Sequence, residues 1–260
     1  MNYETLLVTS KEDIVYITLN RPERLNAFDL QLGKELGTVL TSIKNQRDIK
    51  AVVLRGTGKG FCGGGDVKEM YTAKDKPRFL RELTKTIHTC VLELRTMEKP
   101  VIAAVNGSAF GAGLSLALAC DIIIAVKDAK LSTAFIGIGL APGCGTQFFT
   151  DIVGYHRACD YILTSKVFTA EEGYHLGIIN KIVEVDALDK AVNEYVSQFK
   201  ILPPIAVGKA KMLINKSQSQ DMVSQLELES ITASYSAGTK DFAEGVSAFV
   251  EKRKPVFSGE

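Results

Sequence analysis

The chain carries almost no excess of either charge: its formal net charge is +1 over 260 residues, and no block of five like charges occurs. The basic footprint of a nucleic-acid binder and a polybasic membrane patch are both missing, so neither nucleic acid nor membrane is expected as a partner. Small-molecule chemistry is the better expectation. Paired cysteine motifs are also lacking. Cys62, Cys90, Cys120, Cys144 and Cys159 are odd in number, widely spaced and contain no C-x-x-C, which argues against a disulfide framework and a zinc site and suits a reducing cytoplasm. No metal is expected. The opening residues, Met-Asn-Tyr-Glu-Thr, offer neither the basic n-region nor the apolar h-region of a signal peptide. Internal repeats and low-complexity stretches do not occur. The three histidines, His88, His156 and His175, read as structural or surface residues.

What is present is ordinary globular composition, 46% hydrophobic and 23% charged, enough for one large domain or a domain with an appendage. Residues 101–126 are nearly uncharged, with Asp121 the one ionisable group, and resemble a membrane span by hydropathy. Pro100 opens the stretch, however, and Asn106, Gly107, Gly111 and Gly113 interrupt it. It reads as a strand (101–105), a glycine turn, a buried short helix (114–119) and a second strand (122–126) inside a core.

Elsewhere Val15 to Leu19 alternates and stops at Asn20-Arg21-Pro22, a strand ended by proline. Phe28, Leu32, Leu36, Val39, Leu40 and Ile43 recur at helical spacing, Ala51 to Leu54 forms the next strand, and Phe79 to Leu94 marks a second long helix. Beyond Val167 the pattern turns helical, with segments at 187–199, 204–216, 222–238 and 242–252. The alternation predicts an α/β core over 1–195 and a helical C-terminal region, 196–260, whose apolar faces need a partner surface.

Two glycine turns carry the functional signal. Gly58-Lys59-Gly60-Phe61-Cys62-Gly63 matches G-x-G-x-x-G, but it does not follow the first strand. The acid expected about twenty residues on, Glu82, lies inside a helix pattern, so the dinucleotide reading fails. No Gly-Lys-Ser/Thr ending supports a phosphate loop. The second turn, Asn106-Gly107-Ser108-Ala109-Phe110-Gly111-Ala112-Gly113, also runs from a strand into a helix. Two such turns can aim two backbone N–H groups at one oxygen, an oxyanion hole for an enolate or tetrahedral anion. Spacing alone fits two tight, closely packed turns equally well.

Four segments, Ile17-Thr18-Leu19-Asn20-Arg21-Pro22-Glu23-Arg24-Leu25-Asn26-Ala27, Phe61-Cys62-Gly63-Gly64-Gly65-Asp66, Lys99-Pro100-Val101-Ile102-Ala103-Ala104-Val105-Asn106-Gly107 and Ala248-Phe249-Val250-Glu251-Lys252-Arg253-Lys254-Pro255, resemble in order those of the crotonase superfamily, the enoyl-CoA hydratase/isomerase group. The resemblance implies an α/β spiral of β-β-α turns with two roughly perpendicular sheets, C-terminal helices that build a homotrimer or dimer of trimers, and acyl-CoA substrates. Coenzyme A would enter as part of the substrate, with no other cofactor. It implies an oxyanion hole from the N–H groups of Gly65 and Ala112, and CoA contacts from Arg24, Lys68, Phe249 and Lys252.

The sequence then departs from that pattern. Hydratases of the group carry glutamates at the positions of Ser115 and Phe135, and its phenylacetate-type isomerase branch, which this chain resembles most, carries an aspartate at the position of Gly143. None of these residues can act as a general base. Glu69 and Tyr71, after the first turn, are the other candidates for the acyl pocket. Asp66 reads as a helix N-cap, and Cys144 as a buried, inert thiol. The expectation is an enzyme of hydratase or isomerase type. The alternatives are a decarboxylase of a malonyl-type thioester on CoA or a carrier protein, and a catalytically silent acyl-CoA-binding paralogue.

Overall fold

Every strand expected from an apolar run is present in the computed structural model, which describes residues 3–260. In chain order the elements are β1 (Leu6–Lys11), β2 (Ile14–Leu19), α1 (Leu30–Lys44), β3 (Ala51–Gly56), β4 (Gly60–Cys62), α2 (Val67–Thr72), α3 (Lys76–Thr96), β5 (Val101–Val105), β6 (Ser108–Phe110), α4 (Ala112–Ala119), β7 (Ile122–Val126) and β8 (Lys130–Ser132). There follow α5 (Thr146–Val153), α6 (Tyr155–Leu163), β9 (Phe168–Thr169), α7 (Ala170–His175), β10 (Lys181–Val183), α8 (Leu188–Lys200), α9 (Pro204–Ser217), α10 (Met222–Ala237) and α11 (Lys240–Val250).

The chain alternates between two sheets. The larger has the order β1-β2-β3-β5-β7-β10 and the smaller β4-β6-β8-β9. Each circuit lays one strand in the large sheet, one in the small sheet, and then a helix: β3-β4-α3, β5-β6-α4, β7-β8-α5. From β2 to β10 the large sheet is parallel, and only β1 pairs antiparallel. Parallel strands covered on both faces are apolar throughout. All five residues of β5 are accordingly buried, which is why 101–126 resembled a membrane span. Among the described residues no helix is long and apolar enough to cross a membrane.

Several elements differ from expectation. The small-sheet strands β4 and β6 lie within what reads as glycine loop, and β9 and β10 interrupt the stretch that reads as helical beyond Val167. They are two or three residues long and owe their existence to pairing with neighbours rather than to local preference. The helix expected from Phe28 begins at Leu30, because Asp29 caps it by accepting the Leu32 N–H at 2.7 Å. That leaves Phe28 free to form an isolated parallel bridge with Gly65.

The C-terminal helices attach through a buried charge. Lys211 of α9 reaches Asp121 Oδ2 at 2.7 Å and donates to the Leu94 and Lys99 carbonyls at 2.7 and 2.9 Å. Asp121 also accepts the Val101 N–H at 2.8 Å. Burial pushes the Asp121 carboxyl up and the Lys211 ammonium down, and their contact offsets part of that cost. Farther out, Leu226, Ile231, Phe242, Val246 and Phe249 of α10 and α11 are exposed.

Removing one partner of a buried pair strands the other. Lys211→Met should lower unfolding stability by ~3–5 kcal/mol, with Lys211→Met/Asp121→Asn recovering part of it. Denaturant midpoints check this, and a loss below ~1 kcal/mol would show that the pair does not anchor the helix.

Candidate functional site

The first turn is built by hydrogen bonds from the Arg21–Asp29 segment. Gly63 N–H donates to the Leu25 carbonyl at 2.8 Å, Phe28 N–H to the Gly64 carbonyl at 2.6 Å, and Asp66 N–H to the Phe28 carbonyl at 2.9 Å. In such a bridge the residue between the bonded groups directs its own N–H to the opposite side, so Gly65 N–H faces away from Phe28. Asp66 caps α2, accepting the Lys68 and Glu69 N–H groups at 3.1 and 3.3 Å. Buried Asn26 donates to the Thr57 and Gly60 carbonyls, each at 2.9 Å, and holds the far side of the loop.

The second turn hands β6 to α4 through Gly111, whose φ of +51° favours glycine. Gly111 N–H donates to the Ser132 carbonyl at 2.9 Å. Ala112 follows as the first helical residue, so its N–H belongs to the group that no intrahelical bond uses, at the positive end of the helix dipole. Among the described residues neither Gly65 N–H nor Ala112 N–H is donated to a protein acceptor.

The two turns touch. A Cβ on Gly64 would meet the Phe110 carbonyl oxygen at 3.0 Å, and one on Gly113 would lie 2.1 Å from the Cys62 carbonyl oxygen. Any side chain at 113 would drive α4 off β4.

Of the three positions where the family resemblance implies acids, Ser115 and Phe135 lie against the second turn, and Gly143 is joined to it through its neighbour Cys144. Ser115 is buried, and its hydroxyl lies 3.1 Å from both the Gly111 and the Cys144 carbonyls, tying the 142–145 segment to α4. The Phe135 ring stands 3.8 Å from where a Gly111 Cβ would be, and a Cβ on Gly143 would meet the Thr84 methyl at 3.1 Å. His88 Nε2 donates to the Gly143 carbonyl at 2.7 Å. Cys144 is half-buried, less enclosed than expected, and burial raises its thiol.

The remaining candidates spread outward. Met70 and Leu83 flank Gly65. Glu69 is half-buried on α2, where burial, then the charges of Asp29 and Asp66, push its carboxyl up against the opposing pull of Arg21 and Arg24. Arg24 and Lys68 are exposed, and Tyr71 is 80% exposed. Phe249, 86% exposed, and Lys252 lie at the end of α11, and neither is among the atoms that crowd Gly64, Gly65 or Gly111. Arg21, Thr84 and His88 also pack at the two turns and the 142–145 segment, though the sequence does not mark them as site residues. Arg21 lies within the Asn-Arg-Pro segment that carries the resemblance, but nothing local in the sequence distinguishes its side chain or those of the other two.

Comparison with known proteins decides the family. The family description enoyl-CoA hydratase/isomerase matches residues 9–260. The chain belongs to the enoyl-CoA hydratase/isomerase family. It is 33% identical over 260 residues to 1,2-epoxyphenylacetyl-CoA isomerase of Escherichia coli, covering 99% of each chain. It is 34% identical over 259 residues to short-chain-enoyl-CoA hydratase of Clostridium acetobutylicum, covering 98% of this chain and 97% of that protein. The crystal structure of enoyl-CoA hydratase from Bacillus anthracis superimposes with a TM-score of 0.94 at 33% identity, covering 99% of this chain and 100% of the other. This family member is therefore an enzyme of the lyase or isomerase type, and its relatives' names span both reactions.

With its hydroxyl already bonded, Ser115 acts as a fastener. Ser115→Ala should cost ~1 kcal/mol of stability and less than about tenfold in turnover, well short of the ~10²- to 10⁴-fold that loss of a general base brings. Paired thermal melts and rate measurements check this, and a larger rate loss would give Ser115 a chemical role.

Proposed function

We propose that the chain acts in the cytoplasm on acyl-CoA thioesters, receiving the thioester carbonyl oxygen between the N–H groups of Gly65 and Ala112 and stabilising the enolate that forms there. The observation that supports this reading is the contact between the two turns, each bringing an N–H with no protein acceptor to the meeting point. Fixed backbone dipoles need no reorganisation as charge develops on the oxygen. Arg24 and Lys68 stand exposed near the first turn, where cations can meet CoA phosphates. Phe249 and Lys252 would serve a neighbouring copy of the chain. The exposed apolar faces of α10 and α11 favour that arrangement, with 1–195 as the catalytic core and 196–260 as the oligomerisation region of a homotrimer or dimer of trimers.

A second reading rests on the pocket wall. Ser115 is tied to two carbonyls, Phe135 covers Gly111 and Gly143 has no side chain, so no acid at these positions can move a proton. Decarboxylation of a malonyl-type thioester needs none. The bond between the carboxylate carbon and the α-carbon breaks, carbon dioxide leaves, and the electron pair passes to the thioester oxygen as an enolate that water then protonates.

Incubation with crotonyl-CoA, a 3-enoyl-CoA and methylmalonyl-CoA separates the readings. Turnover of either of the first two supports the first, and turnover of the last alone the second. Tight binding without turnover of any marks a silent acyl-CoA binder. Proline is accepted at the first position of a helix and lacks only the N–H. Ala112→Pro should therefore lower kcat by ~10²- to 10³-fold with little change in melting temperature, and an unchanged kcat would remove Ala112 from the site. Gly143→Asp/Thr84→Ser, which restores an acid and clears the methyl that crowds it, should raise 3-enoyl-CoA isomerisation by at least about tenfold, within the ~10²- to 10⁴-fold range of general acid–base catalysis.

A further inference from the structure

We propose that Arg21 is a positioning residue for the first oxyanion amide: by clamping Asp29 and Asp66 it fixes the direction of Gly65 N–H. The inference rests on the oxyanion-hole reading above and assigns a role to a residue that need not touch the substrate.

One Arg21 nitrogen, Nη2, lies 3.0 Å from Asp29 Oδ2 and 3.1 Å from Asp66 Oδ2, and the side chains are only 14%, 10% and 6% exposed. The other nitrogen, Nη1, donates to the Ala27 carbonyl. The guanidinium therefore holds the residues on both sides of Phe28 and the residue just after Gly65, which are the flanks of the Phe28–Gly65 bridge. The same two carboxylates cap the helices that start there, Asp29 on α1 and Asp66 on α2. The backbone of Arg21 joins in, its N–H donating to Asn26 Oδ1 at 2.9 Å.

Two buried carboxylates share this one cation, and the half-buried Glu69 leans on them as a third acid. Without the guanidinium the pair repels in a poorly screened setting. Asp29 and Asp66 then part, the bridge between their neighbours opens, and the Gly65 amide is free to turn. Lysine is a point charge without a fork and can hold one carboxylate at a time, so it should restore the clamp only in part.

The test uses full-length Arg21→Met and Arg21→Lys with acetoacetyl-CoA isotopically labelled at the thioester carbonyl. Calorimetry gives affinity, difference infrared spectroscopy gives the carbonyl shift on binding, and turnover is measured on whichever thioester the wild type uses. The expected result for Arg21→Met is a kcat lower by ~10²-fold, approaching the loss of one oxyanion donor. Its carbonyl shift should fall to about half, since Ala112 N–H still donates, while its affinity stays within about threefold, because uniform binding contacts are untouched. Arg21→Lys should fall between it and the wild type. If Arg21→Met keeps the full shift and kcat and loses only melting temperature, Arg21 is merely structural and the proposal is overturned. Should Arg21→Met fail to fold, Arg21→Lys decides: a wild-type shift and kcat overturn the proposal, and a partial shift supports it. A wild type that binds without any carbonyl shift overturns the oxyanion-hole reading itself, an outcome visible before any variant is measured.

Discussion

Everything at the candidate site depends on two stretches of backbone lying against each other without side chains between them. A Cβ on Gly107 would sit 2.1 Å from the Lys59 carbonyl oxygen, and one on Gly113 equally close to that of Cys62. At these distances neither turn can yield, since both obstacles are main chain. The β-β-α circuit produces the contact twice, because successive circuits stack β4 beside β6 in parallel register. The geometry of the two turns and the geometry of the fold are therefore the same constraint. The glycines admit the main chain of one circuit against the next, and the approach leaves the N–H groups of Gly65 and Ala112 without a protein acceptor.

Around this fixed contact the side chains are set by packing. Ser115, Phe135 and Gly143 are each engaged in packing: Ser115 binds carbonyls, Phe135 lies over Gly111, and Gly143 hands its carbonyl to His88 while Thr84 fills the space beside it. The wall is consolidated rather than vacant. Placing an acid there means displacing an existing contact, and family membership alone does not supply one.

The large sheet was legible because a parallel strand covered on both faces has nowhere to place a polar residue, and β5 and β7 announce themselves as apolar runs. Strands β4 and β6 were hidden for the opposite reason: three residues next to glycines have no periodicity, and only pairing across the spiral makes them strands. Asp66 as a cap could be read from its place before a helix pattern. Arg21 could not be given its role, since a lone arginine beside a proline looks like any solvated cation, and its partner Asp66 stands 45 residues away. Whether the Ser115 hydroxyl points outward or at backbone is decided by the 142–145 segment, whose Cys144 carbonyl it meets and which no local signal specifies.

Asn106 offers a last consequence. Its side-chain amide donates to the Gly58 and Gly60 carbonyls at 3.1 and 3.3 Å while its oxygen accepts the Gly56 N–H at 3.1 Å. The residue after it is glycine, the neighbour whose backbone nitrogen most readily attacks an asparagine side chain and expels ammonia. In the folded chain that amide is gripped on both ends, so this ageing reaction is held back. On unfolding it is released, and a loss of ammonia seen by mass would date how long the molecule had spent undone.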